Sequence, residues 1–305
     1  MKLYFAPLEG ITTYTYRNIH AQMFGGCDAY FAPFITPSDN EKISQKELRD
    51  IHPDNNPNVN IKVQLLSNQA SSFLNFSERI KALGYDEINL NFGCPSGTVV
   101  KKRRGAGFLK DPDIIDAFLN EIIEKSGMAI SVKTRSGFWS NEEIDELLKV
   151  YNHHLLTLLT VHPRTREDFY NGTPSKDAFR KAYQISTNKL CYNGNVFTKE
   201  DYEKITADFP DIDSVMIGRG AIANPAIFRE IKGGKPLSIG ELLEFTERLT
   251  ESYLELLHSD IFTLYKLKEI WMFIMWNYPE EKKLLKAIKK ASNLADFKNA
   301  LNQLK

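Results

Sequence analysis

The sequence predicts an α/β protein, a (β/α)8 TIM barrel followed by a small all-helical C-terminal domain. Three observations carry that prediction. Short apolar runs recur eight times at a steady interval, with amphipathic helical patterns between them. The runs are apolar throughout rather than alternating, as strands buried on both faces are. The beat then stops after Lys232-Gly233-Gly234-Lys235-Pro236, and the remainder of the chain reads as helix. Parallel neighbours need a crossover of a dozen residues or more, so a strand–helix repeat implies parallel pairing. Eight such units within residues 1–237 suit a closed barrel, for which about 250 residues is typical. A doubly wound open sheet is the competitor, but no GxGxxG opens the first helix.

The expected strands are LYFAPL at 3–8, AYFAPF at 29–34, IKVQL at 61–65, EINLN at 87–91, AISV at 129–132, LTLLTV at 156–161, KLCYN at 189–193 and SVMI at 214–217. Amphipathic stretches at 69–83, 113–125, 142–151 and 176–186 supply crossovers. Asn224-Pro225 reads as N-cap and N1 of a further helix. Ser238 and Glu241 form a capping-box pattern, which starts the tail. Its helices are expected at 239–258, 263–277, 279–291 and 293–304. The division is therefore 1–237 for the barrel and 238–305 for the helical domain.

Composition excludes several classes. With 42% hydrophobic and 26% charged residues, the chain is neither disordered nor fibrous. No apolar run approaches the roughly 20 residues that span a bilayer. No signal-peptide pattern opens the chain, and three scattered cysteines make neither a disulfide framework nor a zinc site. The expectation is a cytoplasmic monomer without metal or membrane contact. Basic and acidic residues balance at 39 each, so any nucleic-acid surface must be local. One such surface is visible. At 100° per residue Lys282, Lys283, Lys286, Lys289 and Lys290 fall within an arc of about 120°. That face suits either plain solvation or a track for phosphates.

Reactive groups in this fold gather at the C-terminal ends of the strands. Those ends carry Pro7, Leu8 and Glu9; Gln64; Asn91 and Cys94; Lys133 and Arg135; His162 and Arg164; Asn193, Gly194 and Asn195; and Gly218 with Arg219. Polar groups at so many ends indicate an enzyme. Glycines in the last two loops let backbone N–H groups approach a phosphate, and Arg219 adds a fixed charge. The phosphate could belong to a phosphosugar or to a flavin mononucleotide. Lys133 reads as a Schiff-base nucleophile or as a cation facing an anion. Gln64 suits a heterocycle edge, and His162 joins the same ring of ligand-facing groups. Cys94, in a Gly-Cys-Pro turn, is open to an acid or a nucleophilic role.

The blocks Ala6-Pro7-Leu8-Glu9-Gly10, Asn89-Leu90-Asn91-Phe92-Gly93-Cys94-Pro95, Val132-Lys133-Thr134-Arg135, His162-Pro163-Arg164-Thr165, Asn193-Gly194-Asn195 and Met216-Ile217-Gly218-Arg219-Gly220 resemble the tRNA-dihydrouridine synthase family. The resemblance implies FMN at the barrel mouth, NADPH as reductant and a tRNA uridine as substrate. By motif position, Pro7, Leu8, Glu9, Gln64, Lys133, His162, Asn193, Gly194, Asn195, Gly218 and Arg219 would hold the flavin. Cys94 would donate the proton, and Asn91 would orient flavin or uracil. Arg135, Arg164, Lys101, Lys102, Arg103, Arg104, Lys283, Lys286 and Lys290 are assigned to the RNA. Asn195 and Pro163 depart from the family's usual acid and glycine, and the basic run 101–104 is unusual. The competing functions are an FMN reductase of a small pyrimidine or enone, a Schiff-base phosphosugar lyase, and a tRNA-binding module without catalysis.

Overall fold

The computed structural model describes residues 1–37 and 44–304, and in it eight parallel strands close into one barrel. The strands are β1 (Lys2–Phe5), β2 (Ala29–Phe31), β3 (Ile61–Leu65), β4 (Glu87–Phe92), β5 (Ala129–Gly137), β6 (Leu159–Thr165), β7 (Leu190–Asn193) and β8 (Ser214–Ile217). Closure comes from β1 pairing with β8, from Lys2 opposite Ser214 to Phe5 opposite Ile217. Most buried apolar side chains lie between the strands and the surrounding helices. A smaller cluster of Ala6, Phe31, Leu158, Cys191 and Met216 packs separately.

Strand lengths depart from expectation in two directions. β1 and β2 stop early, at Phe5 and Phe31, before Pro7 and Pro33, which have no N–H for a ladder. β5 and β6 run on to Gly137 and Thr165, because ladder bonding continues after the apolar pattern ends. Lys133 pairs with Thr160 and Arg135 with His162, after which Gly137 pairs with Thr165. The register shift gives β6 one extra residue beside Pro163. A proline is tolerated in a central strand at such a bulge. His162 and Arg164 are thus strand residues rather than loop residues.

Asn224-Pro225 does not start a helix as expected. Asn224 instead ends the short helix Arg219–Ala223, and the next helix, Ile227–Ile231, has Ala226 as N-cap. The Asn224 carboxamide oxygen accepts from the Ala226 N–H, so its capping oxygen serves the turn between them.

The tail forms helices Ile239–Leu257, Asp260–Ile274, Lys282–Lys290 and Leu294–Leu301. The Ser238–Glu241 capping box is present. Ser259 caps the second helix and starts it three residues earlier than expected. Trp271 is the tail's largest buried side chain and donates its indole N–H to Thr246 at 3.2 Å. Two bonds tie the tail to the barrel mouth: Lys266 Nζ donates to Gly10 O at 2.7 Å, and Asn277 Nδ2 to Ala223 O at 2.8 Å. Among the described residues no helix is long and apolar enough to cross a membrane.

Candidate active site

A cavity of about 540 Å³ opens at the C-terminal ends of the strands. It is lined by residues marked in the sequence: Pro7, Leu8 and Glu9 after β1, Gln64 from β3, and Asn91 and Cys94 from β4 and its loop. Lys133 and Arg135 from β5, His162 from β6, Asn193 and Gly194 at β7, and Gly218 and Arg219 after β8 complete that set. Other lining residues are not marked in the sequence, four of them from distant segments. Tyr170 comes from the loop after β6, and Glu269, Phe273 and Trp276 reach over the mouth from the helical tail.

Three cations, Lys133, Arg135 and Arg219, line the cavity. Lys133 has no hydrogen bond or ion pair among the described residues, and burial, followed by Arg135, pushes its ammonium down to about 8. Arg164 is buried and donates to His162 Nε2 at 3.1 Å. A guanidinium can only donate, so Nε2 is unprotonated and the imidazole proton sits on Nδ1. Burial and the surrounding cations Lys133, Arg135, Arg164 and Arg219 hold His162 well below its usual range, so it is neutral. Arg219 lies under an aromatic box, 4.9 Å from the Tyr170 ring and 5.8 Å from both Phe197 and Trp276. Two carboxylates, Glu9 and Glu269, line the cavity as well. Burial raises Glu9, and Glu269 pairs with Lys266 at 3.3 Å.

Asn195 does not line the cavity. Its carboxamide oxygen accepts from Arg219 Nη2 at 3.0 Å and from Arg164 Nη1 and Nη2 at 3.3 Å, so it positions two guanidinium groups. Arg164 also lies behind the lining, tied to Asn171 O and Gly172 O. Gly194 is demanded locally as well, since a Cβ there would collide with the Tyr192 hydroxyl. Lys101, Lys102 and Arg103 are exposed beside the Cys94 loop, outside the cavity, and Arg104 is half-buried against Asn68. Lys283, Lys286 and Lys290 are exposed on helix Lys282–Lys290, likewise outside it.

Cys94 stands at the lip, held from both sides. Its N–H and that of Gly93 donate to Asn91 Oδ1 at 2.9 and 3.0 Å. Its carbonyl accepts from Ala106 N at 3.0 Å, across Gly105, whose φ is +55°. Any side chain at 105 would be strained and would meet Cys94 O at 2.8 Å. Burial raises the Cys94 thiol above its ordinary value of 9.0, against smaller lowering effects from the Ser96 backbone and Arg135. The side chain is therefore a protonated thiol near neutral pH.

A polar ladder descends from Asn91 through the barrel. Asn91 Nδ2 donates to Gln64 Oε1 at 2.8 Å, and Gln64 Nε2 donates to Asn89 Oδ1 at 2.7 Å. Asn89 Nδ2 donates to Ser131 Oγ at 2.9 Å, and Ser131 donates to Glu87 Oε1 at 2.7 Å. Glu87 is paired with Lys62 at 2.8 Å near the opposite end of the barrel.

The molecule is a closed parallel barrel whose mouth, where reactive groups gather in this fold, carries cations, a neutral histidine and a protonated thiol at its lip. The chain belongs to the dihydrouridine synthase family, whose model matches residues 4–305, and is an oxidoreductase of that family. It is 29% identical over 261 residues to tRNA-dihydrouridine synthase B of Yersinia pestis, covering 83% of this chain and 79% of that protein. With the Escherichia coli K12 protein of the same name it shares 29% over 244 residues, 79% of this chain and 74% of that one. Among solved structures it resembles morphinone reductase in complex with tetrahydroNAD (TM-score 0.55, 11% identity, 78% of this chain and 88% of that chain). The old yellow enzyme from Trypanosoma cruzi is similar too (TM-score 0.53, 12% identity, 78% and 89%). At such identities these neighbours speak to the fold alone. The family match sets aside the Schiff-base lyase reading of Lys133.

Proposed function

We propose that this protein is an FMN-dependent tRNA-dihydrouridine synthase that draws its electrons from NADPH. The reading is carried by a cavity ringed by Lys133, Arg135, His162 and Arg219, with Cys94 at its lip, in a chain of this family. The residues present fit the cofactor. Lys133 and the His162 Nδ1–H have no partner among the described residues, and both can meet anionic or acceptor atoms. Gly194, Gly218 and Arg219 would take the phosphate, while Pro7, Leu8, Glu9, Gln64 and Asn193 would border the rings. When bound, the reduced flavin supplies the hydride that C6 of the uracil accepts.

The remaining work falls to side chains. Cys94 holds a proton at Sγ for C5, which a thiol raised above its ordinary value retains at neutral pH. Asn91 fixes the Cys94 backbone and can orient the uracil or the flavin. Lys133 stabilises negative charge at the cavity floor. The target base must leave its stack to enter the mouth. Residues 1–237 form the catalytic barrel in this reading, and 238–305 serve as the tRNA-binding region, with Lys283, Lys286 and Lys290 on phosphates. Arg135 and the 101–104 run serve the RNA nearer the mouth, while Arg164, buried behind the lining, positions His162 instead of reaching the RNA.

The test has two parts. Purified protein should show a flavin spectrum that NADPH bleaches. Transfer RNA from a strain lacking the gene should have lost a dihydrouridine that the wild-type gene restores. Colourless protein, or an unchanged dihydrouridine content, overturns the proposal.

A further inference from the structure

The loops after β5 and β6 expose rings that the flavin site does not use. Trp139 is 62% exposed and Phe169 40%. Beside Trp139 lies the buried Phe138, which meets it edge-on at 4.7 Å. Two cations rest on this group. Lys110 Nζ is 4.0 Å from the centre of the Phe138 ring and 5.1 Å from that of Trp139. The Arg166 guanidinium lies 5.7 Å from Phe138 and 4.8 Å from Phe169.

Phe169 has φ +50°, a backbone region that bulky side chains rarely adopt. Glycine or asparagine would sit there more easily, so an exposed ring is kept against backbone preference. The shelf is continuous with the cavity rim: the next residue, Tyr170, lines the cavity and lies over Arg135 and Arg219. Lys110 ends the short helix Gly105–Lys110, directly after the basic 101–104 run. Glu167 pairs with Arg166 at 2.8 Å and offsets part of the charge. Lys110 has no carboxylate partner among the described residues.

Exposed π faces beside cations match one ligand chemistry above others, an unpaired nucleotide whose base stacks and whose phosphate is met by charge. We propose that Trp139 and Phe169, with Lys110 and Arg166, form a stacking shelf for an unpaired nucleotide neighbouring the uridine in the cavity. The proposal rests on tRNA being the substrate of the cavity. A partner held by apolar packing alone would leave Lys110, which has no carboxylate partner among the described residues, without a counterpart.

The experiment uses the full-length, flavin-loaded protein and an unmodified tRNA transcript. The Trp139→Ala/Phe169→Ala double variant should bind the transcript more weakly by roughly 5- to 150-fold for each base unstacked. Its slope of log affinity against log salt should match wild type, because every phosphate-facing cation is kept. Trp139→Phe should keep most of the affinity. Phe169→Gly should unfold no more easily than wild type, since it relieves the positive φ, yet it too should bind more weakly. That variant separates weakened binding from weakened folding.

Wild-type affinity in the double variant overturns the shelf. So does a sedimentation experiment in which wild type is dimeric and the double variant monomeric, which would make these rings a self-association surface. If wild type neither binds the transcript nor forms dihydrouridine, the parent reading fails and takes the shelf with it. Wild-type activity with undiminished variant binding overturns the shelf alone.

Discussion

Cys94 and Lys133 face the same cavity with opposite protonation demands. Burial favours the neutral form of each, so the thiol rises and the ammonium falls. For Cys94 this keeps the proton in place, and Cys94→Ala should retain flavin and its reduction by NADPH while losing dihydrouridine formation. Stopped-flow absorbance and tRNA nucleoside analysis read the two halves separately. For Lys133 the consequence is a pH dependence. Its ammonium titrates at about 8 without ligand, and an anion nearby favours the charged form, so binding above that pH takes up a proton. Flavin affinity should fall as pH rises through 8, by up to about tenfold per unit. Lys133→Met should bind weakly with little pH dependence between 7 and 9, and fluorescence titration of apoprotein checks it. An identical pH profile in both proteins would remove Lys133 from this role. Both residues were legible in the sequence because a thiol and an amine are chemically conspicuous beside strand ends. Tyr170, Phe273 and Trp276 were not, because aromatic residues far along the chain give no sign of which cavity they will meet.

At the scale of elements, the helix Lys282–Lys290 buries Leu284 and Ile288 and exposes all five of its lysines. No carboxylate pairs with those lysines among the described residues, so their repulsion is relieved only by solvent or by a polyanion. Lys283→Gln, Lys286→Gln and Lys290→Gln combined should weaken tRNA binding and lower its salt slope by about 0.7–0.9 for each phosphate no longer neutralised. Flavin content should stay the same, since these residues lie outside the cavity. An unchanged affinity and slope would reduce the stripe to a solvated face. The helix was readable because 3.6-residue periodicity separates its faces cleanly. The ends of β5 and β6 were harder, because hydrophobicity records where side chains leave the core, not where backbone bonding stops. Val132 and Val161 end the apolar runs, yet Arg135 and His162 still pair as ladder residues.

For the whole molecule, the closed barrel and its helical tail followed from the repeat and its end at Lys235-Pro236. The packing of that tail across the mouth did not, since contacts such as Lys266 with Gly10 join residues far apart in sequence. His20 shows what such contacts do for stability. It is fully buried, with Nε2 against Pro225 O and Nδ1 against the Tyr30 hydroxyl, each at 2.8 Å. The carbonyl can only accept, so Nε2 carries the proton and Nδ1 accepts from Tyr30. Burial pushes the imidazole down to about 3 from 6.5. The unfolded chain therefore binds the extra proton first as pH falls below 6.5, and stability is lost by about 1.4 kcal/mol per pH unit for this group. His162 adds a loss in the same direction. Urea unfolding between pH 6.5 and 4.5 should show that slope. His20→Gln should be less stable at pH 7 and flatter across the window, and an unaltered slope would mean His20 is not the group responsible.

The ladder beneath Cys94 has a polarity that both ends impose. At its foot the Glu87 carboxylate only accepts, and at its top the N–H groups of Gly93 and Cys94 only donate. One arrangement of Ser131, Asn89, Gln64 and Asn91 satisfies every link, and turning any single amide sets oxygen against oxygen and nitrogen against nitrogen. Gln64 is thereby denied the half-turn that lets a glutamine adapt to whatever ring lies beside it. A heterocycle of the right outline but with donor and acceptor interchanged would find no accommodation there. The sense of the hydrogen bonds at the barrel mouth is thus held in part by a carboxylate at the far end of the strands.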